Sequence, residues 1–269
     1  MCELLGLSFL KPVSAAFTFK EFSSNDHENA DGWGVCWYPD QSVAIVKEPR
    51  KWRESRYAQF LCDYPGLESR IMMAHIRQQT RGGSPCHADT HPFGRELGGR
   101  EYVLAHNGTV DDRVWNLPVG PAQPLGSTDS ERIFCHLLWK IAERGHPLDE
   151  EADWRWLHDR LIELNGMGQL NLLLSDGIRL FCYHDLGGWK GMCFRKVFMS
   201  GHNIRHFGDE TLELNIEGEI SNRGHIIASR PLSSAVWHPF RKGQLMVLEA
   251  GVIRFPGHRG EAQESPLKN

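Results

Sequence analysis

The sequence predicts a single α+β domain in which β-sheets pack on each other and helices lie outside them. Predicted strands come before and after a pair of amphipathic helix patterns, an order typical of α+β domains. Asp176-Gly177 and Ala250-Gly251 each join two apolar runs, as the turn of a β-hairpin does. No stretch has the composition of a linker, so the domain is predicted to span residues 1–256, with a frayed polar tail over 257–269.

The first part of the chain alternates predicted strands with polar segments. Apolar and aromatic runs predict strands over 4–8, 32–38, 42–47, 71–76 and 101–105. A hairpin turn is predicted at Pro39-Asp40, and the polar segment 17–30 is predicted to be a loop. Aromatic residues at helical spacing predict a helix over 52–64, which stops before Pro65-Gly66.

Two helices and a run of strands follow. Segment 111–126 has prolines and glycines without periodicity and is predicted to be a surface loop. The first helix is predicted over 129–144, where Thr128 and Glu131 have the spacing of a capping box. The second helix is predicted over 149–164. Strands are predicted over 169–175, 178–184, 196–200, 225–229, 244–249 and 252–255.

Composition and charge limit the classes of partner. The 269 residues carry a formal net charge of -4, so there is no electrostatic reason to expect binding to nucleic acid or to an anionic membrane. No apolar run approaches the roughly 20 residues of a membrane span, and the N-terminus lacks the basic start and apolar centre of a signal peptide. The seven cysteines are scattered and odd in number, which does not suit a disulfide framework. A cytoplasmic location with reduced thiols is therefore expected.

Cys2 is the candidate nucleophile. It stands directly behind the initiator methionine at the head of an apolar run. If Met1 is removed, Cys2 carries a thiol and a free α-amine on one carbon. The pKa of an α-amine is about 7.7 to 8.0 and that of a thiol about 8.5, so both groups titrate near neutral pH and the amine can pass protons for the thiol. A small residue at position 2 is also common simply because it permits methionine removal.

Polar clusters further along the chain carry the other candidates. Residues 74–83 read Ala-His-Ile-Arg-Gln-Gln-Thr-Arg-Gly-Gly, which suits a loop that presents an arginine. His91-Pro92 follows. Asn107-Gly108 could donate a side-chain amide and a backbone N–H to an oxyanion, although Asn-Gly is also a common turn. Asp129 lies in the first turn of a predicted helix, where an acid also serves as a plain cap.

Taken together, these motifs resemble those of the class II, N-terminal-nucleophile (Ntn) glutamine amidotransferases, in the same order and with matching spacing. The motifs that carry the resemblance are Cys2, Asp31-Gly32-Trp33-Gly34, 77–83, His91-Pro92, Asn107-Gly108 and Ser127-Thr128-Asp129. Residues 171–177 and 228–232 further resemble the stand-alone, YafJ-like branch of the family. The resemblance therefore covers most of the chain.

The resemblance implies the Ntn-hydrolase fold, which is a four-layer αββα sandwich. It also implies that Cys2 attacks the side-chain amide of glutamine, forms a γ-glutamyl thioester and releases ammonia. Asn107 and Gly108 would form the oxyanion hole. By position, Arg77 would bind the α-carboxylate of the substrate and Asp129 its α-ammonium group.

The same resemblance implies that Thr80 and His91 complete the substrate-binding residues, and it implies no cofactor and no metal. Family members that use the ammonia in a synthesis carry a synthase domain, and none fits in the remaining sequence. The ammonia acceptor would then be a separate protein, or water would be the only acceptor.

The sequence leaves alternatives open. A hydrolase of another γ-glutamyl amide or peptide would use the same nucleophile, oxyanion hole and carboxylate clamp. A metal-binding module could be argued from Cys86-His87 and His91, but this cluster lacks the second pair that zinc sites usually show. A non-catalytic scaffold is disfavoured because the catalytic positions are intact.

Overall fold

The computed structural model describes residues 3–19, 32–62, 64, 66–77, 86–199, 204–209 and 212–256. Two antiparallel β-sheets pack face to face, and helices lie on their outer surfaces, so the predicted α+β sandwich is confirmed. The predicted tail over 257–269 lies outside the described residues.

The elements are numbered in chain order. The first strands are β1 (Glu3–Phe19), β2 (Gly32–Trp37), β3 (Ala44–Glu48), β4 (Glu68–Arg77), β5 (Phe93–Leu97), β6 (Arg100–Asn107), β7 (Asn171–Ser175) and β8 (Arg179–Tyr183). The later strands are β9 (Cys193–Phe198), β10 (Ile204–Gly208), β11 (Leu212–Gly218), β12 (Arg223–Ala228), β13 (His238–Pro239), β14 (Leu245–Glu249) and β15 (Val252–Phe255). The helices are α1 (Arg56–Cys62), α2 (Asp129–Arg144) and α3 (Glu151–Asn165), with 3₁₀ turns at Trp52–Glu54 and Asp112–Asn116.

The first sheet is built around β1. Its strand order is β13-β9-β12-β1-β4-β2-β3, and the β10–β11 hairpin joins it through a pairing of β11 with β1. The second sheet has the order β15-β14-β8-β7-β6-β5. Every pairing in both sheets is antiparallel.

Alternation of side chains along the strands separates three apolar layers. Leu4 lies in the layer between the sheets, together with Leu173 of the second sheet. Leu5 lies in the cluster on the outer face of the first sheet, which also contains Leu61 of α1. The outer face of the second sheet is buried by residues of α2 and α3, namely Ile133, Phe134, Leu137, Leu157 and Leu161. This gives the order helix, sheet, sheet, helix.

The first strand is much longer than predicted. It continues through a register shift between Ser8 and Val13 and then pairs with β11 as far as Phe19. Buried residues alternate along this half at Val13, Ala15 and Phe17. The predicted loop over 17–30 is therefore wrong for its first three residues, because a distant partner strand extends β1, and its remainder lies outside the described residues.

The predicted helix over 52–64 is divided by Ser55. A 3₁₀ turn covers Trp52–Glu54, and α1 starts only at Arg56. The Ser55 hydroxyl accepts the backbone N–H of Ala58 at 3.0 Å, as a helix N-cap does. The cap explains why one predicted helix becomes two short pieces.

Helix α2 has the predicted bounds, but its cap differs from the prediction. The Thr128 side chain accepts the backbone N–H of Glu131 at 3.2 Å, which is half of a capping box. The Glu131 carboxylate instead accepts the N–H of Gly126 at 2.7 Å and pairs with Arg95 at 2.5 Å. Helix α3 begins at Glu151, two residues later than predicted. Within the described residues, no helix is long and apolar enough to cross a membrane.

Candidate active site

The predicted site residues that the structure describes lie at one end of the sandwich. Strand β1 begins there at Glu3, which pairs with Ile76 near the end of β4. Strand β2 begins there at Gly32, opposite Arg77. In the second sheet, β6 ends at Asn107 at the same end. The sheet topology therefore collects motifs that are far apart in the sequence.

The start of β1 is fixed by the end of β12. The backbone N–H of Leu4 donates to the Ser229 hydroxyl at 2.9 Å, and the Ser229 N–H donates to the Leu4 carbonyl at 3.1 Å. Cys2 itself lies outside the described residues, as does Thr80, and the side chain of Arg77 is not described. Glu3, the residue that follows Cys2 in the chain, is the first residue of β1 at this end of the sandwich.

Asn107 and Gly108 occupy the end of β6. Asn107 is buried and pairs with Asn171 of the neighbouring β7. A Cβ atom at position 108 would lie 2.1 Å from the Gln169 carbonyl oxygen, so only glycine fits there. The close approach of another backbone segment thus accounts for this glycine.

His106 holds the end of β6 through hydrogen bonds to Gln169 and Ser130. This role was not predicted from the sequence. It is buried, and burial lowers its pKa, so its ring is neutral at pH 7. Its Nε2 lies 3.1 Å from the Gln169 carbonyl, which can only accept, so Nε2 carries the proton. Nδ1 therefore accepts from the Ser130 hydroxyl at 2.8 Å. The position of His106 beside Asn107 is the one feature of the sequence that points to this role.

Asp129 lies next to the Asn107-Gly108 segment. One carboxylate oxygen accepts the backbone N–H of Val110 at 3.0 Å, and the other accepts the N–H of Ser130 at 2.8 Å. These bonds tie the start of α2 to the residues that follow Gly108. The predicted oxyanion-hole residues and the predicted ammonium-binding carboxylate are thereby held in one unit.

His91 packs in the buried space at this end. A cis peptide joins it to Pro92. Its ring centroid lies 4.3 Å from that of His75 and 4.6 Å from that of Phe93. A Cβ atom at Gly34 would lie 2.1 Å from the His91 carbonyl oxygen, which explains the second glycine of the Asp-Gly-Trp-Gly motif. Contact between His91 and substrate stays a prediction.

A further residue that sequence reasoning missed is Asp89. Its carboxylate accepts the backbone N–H of Ser127 at 2.6 Å and the Ser127 hydroxyl at 2.9 Å. A Cβ atom at Gly126 would lie 2.2 Å from Asp89 Oδ1. Asp89 therefore clips the segment before His91 to the segment before Asp129.

A model of the class-II glutamine amidotransferases matches residues 1–268. The chain belongs to this family. Within the part of this class II glutamine amidotransferase that the structure describes, no three His, Cys, Asp or Glu side chains are grouped as they would be around a metal ion.

Relatives support the stand-alone branch. The amidotransferase is 36% identical over 262 residues to an uncharacterized protein of Methanocaldococcus jannaschii, covering 96% of this chain and 72% of the relative. It is 37% identical over 188 residues to the putative glutamine amidotransferase YafJ of Escherichia coli, covering 68% and 72%. It is 30% identical over 158 residues to the γ-glutamyl-hercynylcysteine sulfoxide hydrolase of Mycolicibacterium smegmatis, covering 56% and 60%.

Solved structures support the fold. A predicted glutamine amidotransferase from Pseudomonas aeruginosa superposes with a TM-score of 0.75 at 25% identity, covering 94% of this chain and 99% of that one. Glutamine phosphoribosylpyrophosphate amidotransferase from B. subtilis superposes with a TM-score of 0.58 at 15% identity, covering 94% and 48%. The second likeness shows the fold alone. Together they confirm the Ntn-type αββα sandwich that the resemblance implied.

Proposed function

We propose that this class II glutamine amidotransferase cleaves the γ-amide bond of a γ-glutamyl substrate, with Cys2 as nucleophile and glutamine as the simplest substrate. The observation that carries the proposal is the arrangement of Asn107, Gly108 and Asp129 as one unit at the sandwich end where β1 begins. Cys2 directly precedes Glu3, the first residue of β1.

The proposed chemistry needs only groups of the chain and water. After removal of Met1, the α-amine of Cys2 takes the thiol proton, and the sulfur attacks the amide carbon. The α-ammonium group of Cys2 then gives this proton to the substrate's amide nitrogen, and the tetrahedral intermediate collapses as ammonia or an amine departs. A γ-glutamyl thioester remains on Cys2. Water then adds to the thioester carbon, glutamate departs, and the thiol regains its proton.

Asn107 and Gly108 are proposed to stabilise the oxyanion of both tetrahedral intermediates. A buried side-chain amide and a neighbouring backbone N–H are the donor types that such holes use. His106 holds this segment through its bond to the Gln169 carbonyl, so the donors are fixed before substrate arrives. Preorganised donors act strongly in a site from which water is excluded.

Arg77 and Asp129 are proposed to hold the free amino-acid end of the glutamyl group. A guanidinium can bind the α-carboxylate through two parallel hydrogen bonds, and the Asp129 carboxylate can accept from the α-ammonium group. Thr80 and His91 are proposed to complete this pocket. The ammonia released from glutamine would pass to a separate acceptor protein or to solvent.

A second candidate is a hydrolase of a larger γ-glutamyl amide. The observation that favours it is the similarity to a relative that is named as a γ-glutamyl-hercynylcysteine sulfoxide hydrolase. The same nucleophile and clamp would serve, and an amine larger than ammonia would leave.

One experiment tests the proposal at the level of the nucleophile. Intact-mass spectrometry should show a protein that is shorter by Met1. A glutamine analogue with an electrophile at the γ-carbon should label Cys2 alone, and Cys2→Ala should abolish both the labelling and glutamate release. Full activity in protein that retains Met1 would contradict the mechanism.

A further inference from the structure

Segment 184–192 crosses from the second sheet to the first at the active-site end. It follows β8, whose last residue Tyr183 pairs with Leu172 of β7, and it leads into β9. Since β8 and β9 belong to different sheets, the segment spans the opening between them. We refer to segment 184–192 as the wall of the proposed site.

A single carboxylate fixes the conformation of this wall. Asp185 is buried and accepts the backbone N–H groups of Leu170 at 2.9 Å, Gly187 at 2.8 Å and Trp189 at 3.1 Å. The side chain of Asn165 also donates to it, at 2.8 Å. Because four donors bind this one buried carboxylate, the backbone of the segment has a defined conformation.

One hydrogen bond and one electrostatic interaction place Trp189 and Lys190 beside the proposed chemistry. The Asn171 side-chain amide donates to the Trp189 carbonyl at 2.8 Å, and Asn171 is the strand partner of Asn107. The charge of Lys190 acts on the carboxyl of Glu3, the neighbour of Cys2. Burial raises the pKa of the Glu3 carboxyl, and the positive charges of Arg230 and Lys190 act in the opposite direction.

Lys190 is an exposed cation of this segment. Arg230 is paired with Asp209 at 2.9 Å and lies 3.8 Å from Glu3, so its charge is already matched. Lys190 is exposed, and its ammonium group lies 4.5 Å from the centre of the Trp189 ring. Its backbone has a φ of 54°, in the left-handed region, which is often found at functional sites in residues other than glycine.

The strand order gives the direction in which a substrate extends. Strand β1 lies between β4 and β12. Arg77, one of the two residues of the proposed clamp, ends β4 on one side of β1. On the other side, β12 ends beside Ser229, and Lys190 leads into β9, the next strand beyond β12. If Arg77 holds the γ-glutamyl group as proposed, the substituent on its amide nitrogen would extend across β1 toward Trp189 and Lys190.

We propose that Trp189 and Lys190 form a subsite for the amine portion of the substrate, and that the preferred substrates are γ-glutamyl amides whose amine carries a carboxylate. These are γ-glutamyl amino acids and short γ-glutamyl peptides. The inference rests on the proposed function and specifies its substrate class. Hydrolysis then releases an amino acid in place of ammonia, with water supplying the hydroxyl to glutamate and a proton to the amine.

The test compares two isosteric amides, γ-glutamylglycine and γ-glutamylglycinamide. They differ only in whether the amine portion ends in a carboxylate or in a neutral amide. The processed full chain should cleave the carboxylate form with a kcat/KM about 2- to 5-fold higher, which is the size expected for one partly exposed charge pair. Glutamine serves as a third substrate that lacks the amine portion.

Variants at Lys190 assign the preference to this side chain. Lys190→Met should bring the ratio of the two kcat/KM values close to one, Lys190→Arg should keep it, and Lys190→Glu should reverse it. The ratio is measured within each variant, so a loss of folded protein cancels. Lys196→Met is the matched control, because Lys196 is an exposed lysine on β9, and it should leave the ratio unchanged.

The outcomes separate the two proposals. The subsite would be overturned, and the proposed function left intact, if the protein cleaves glutamine or the amides but the ratio of kcat/KM for γ-glutamylglycine to that for γ-glutamylglycinamide is near one. A ratio that the Lys190 variants do not change would have the same meaning. Failure of the processed protein to cleave glutamine and both amides would overturn the proposed function. A preference that Lys190→Glu reverses would establish the subsite.

Discussion

Asn107 is the residue at which the proposed catalysis is most directly testable. Loss of one oxyanion-hole donor typically lowers kcat by about 10² to 10³. We therefore expect Asn107→Ala to lower kcat by this factor and to leave KM nearly unchanged, because the donor acts mainly in the transition state. Asn116→Ala, at an exposed asparagine in a 3₁₀ turn, is the control. Near-normal turnover of Asn107→Ala would remove this residue from the oxyanion hole.

A second residue-scale prediction concerns His225 and pH. Burial lowers its pKa from 6.5 to about 4, so the unfolded chain binds a proton between these values that the folded protein does not. Stability is therefore full above about pH 6.5 and falls as the pH is lowered toward 4. For this group alone the loss between pH 7 and pH 5 is about 2 kcal/mol.

Urea unfolding of wild type and His225→Gln at the two pH values measures this term. The variant should lose less stability on acidification than wild type does. His206→Gln, at an exposed histidine of β10, is the control and should behave as wild type. Equal acid sensitivity in wild type and His225→Gln would show that His225 is not the group responsible.

At the scale of elements, the clip between Asp89 and Ser127 is predicted to position the substrate clamp. Asp89→Ala removes the acceptor of the Ser127 N–H and hydroxyl, and the net loss for one such hydrogen bond is about 1 kcal/mol. Because the clip precedes Asp129 by two residues, KM should rise by about 10-fold with a smaller change in kcat.

Steady-state kinetics and thermal unfolding of Asp89→Ala check both expectations. Asp159→Ala, at an exposed position of α3, is the control. A lowered melting temperature with an unchanged KM would show that Asp89 stabilises the fold without positioning Asp129.

The elements show why some parts of the fold could be predicted and others could not. Helix α2 has a strong apolar stripe and a threonine cap, and its bounds agree with the prediction. The β10–β11 hairpin was missed even though Leu212, Leu214 and Ile216 alternate as strand residues do. Its pairing with β1 is a long-range contact that local sequence does not reveal.

The site residues likewise divide into those that the sequence could predict and those that it could not. Asn107, Gly108 and Asp129 stand in motifs and could be predicted from them, and the structure brings them together. His106, Asp89 and Lys190 act through contacts with residues far along the chain, so no local pattern marks them. The roles of Cys2, Arg77 and Thr80 stay predictions.

For the whole molecule, we predict a single cooperative unfolding transition. Strand β1 pairs with β4, β11 and β12, and its Leu4 shares the buried layer with residues of the second sheet. Neither sheet can leave this layer without exposing apolar surface of the other. Urea unfolding followed by tryptophan fluorescence and by far-UV circular dichroism should give coincident curves. Separate midpoints would show that the sheets unfold as two units.

The pairing of β1 with β12 also sets an order of events during protein synthesis. Leu4 and its partner Ser229 are 225 residues apart, so at roughly 5 to 20 residues per second the ribosome makes the partner about 10 to 45 s after Leu4. During this interval the start of β1 lacks its neighbour on one side. An aminopeptidase that removes Met1 therefore meets an incomplete sheet, and the proposed nucleophile is uncovered well before the rest of its site exists. A newly made chain would carry an exposed Cys2 thiol that can be oxidised in the cell but has no means yet of cleaving an amide.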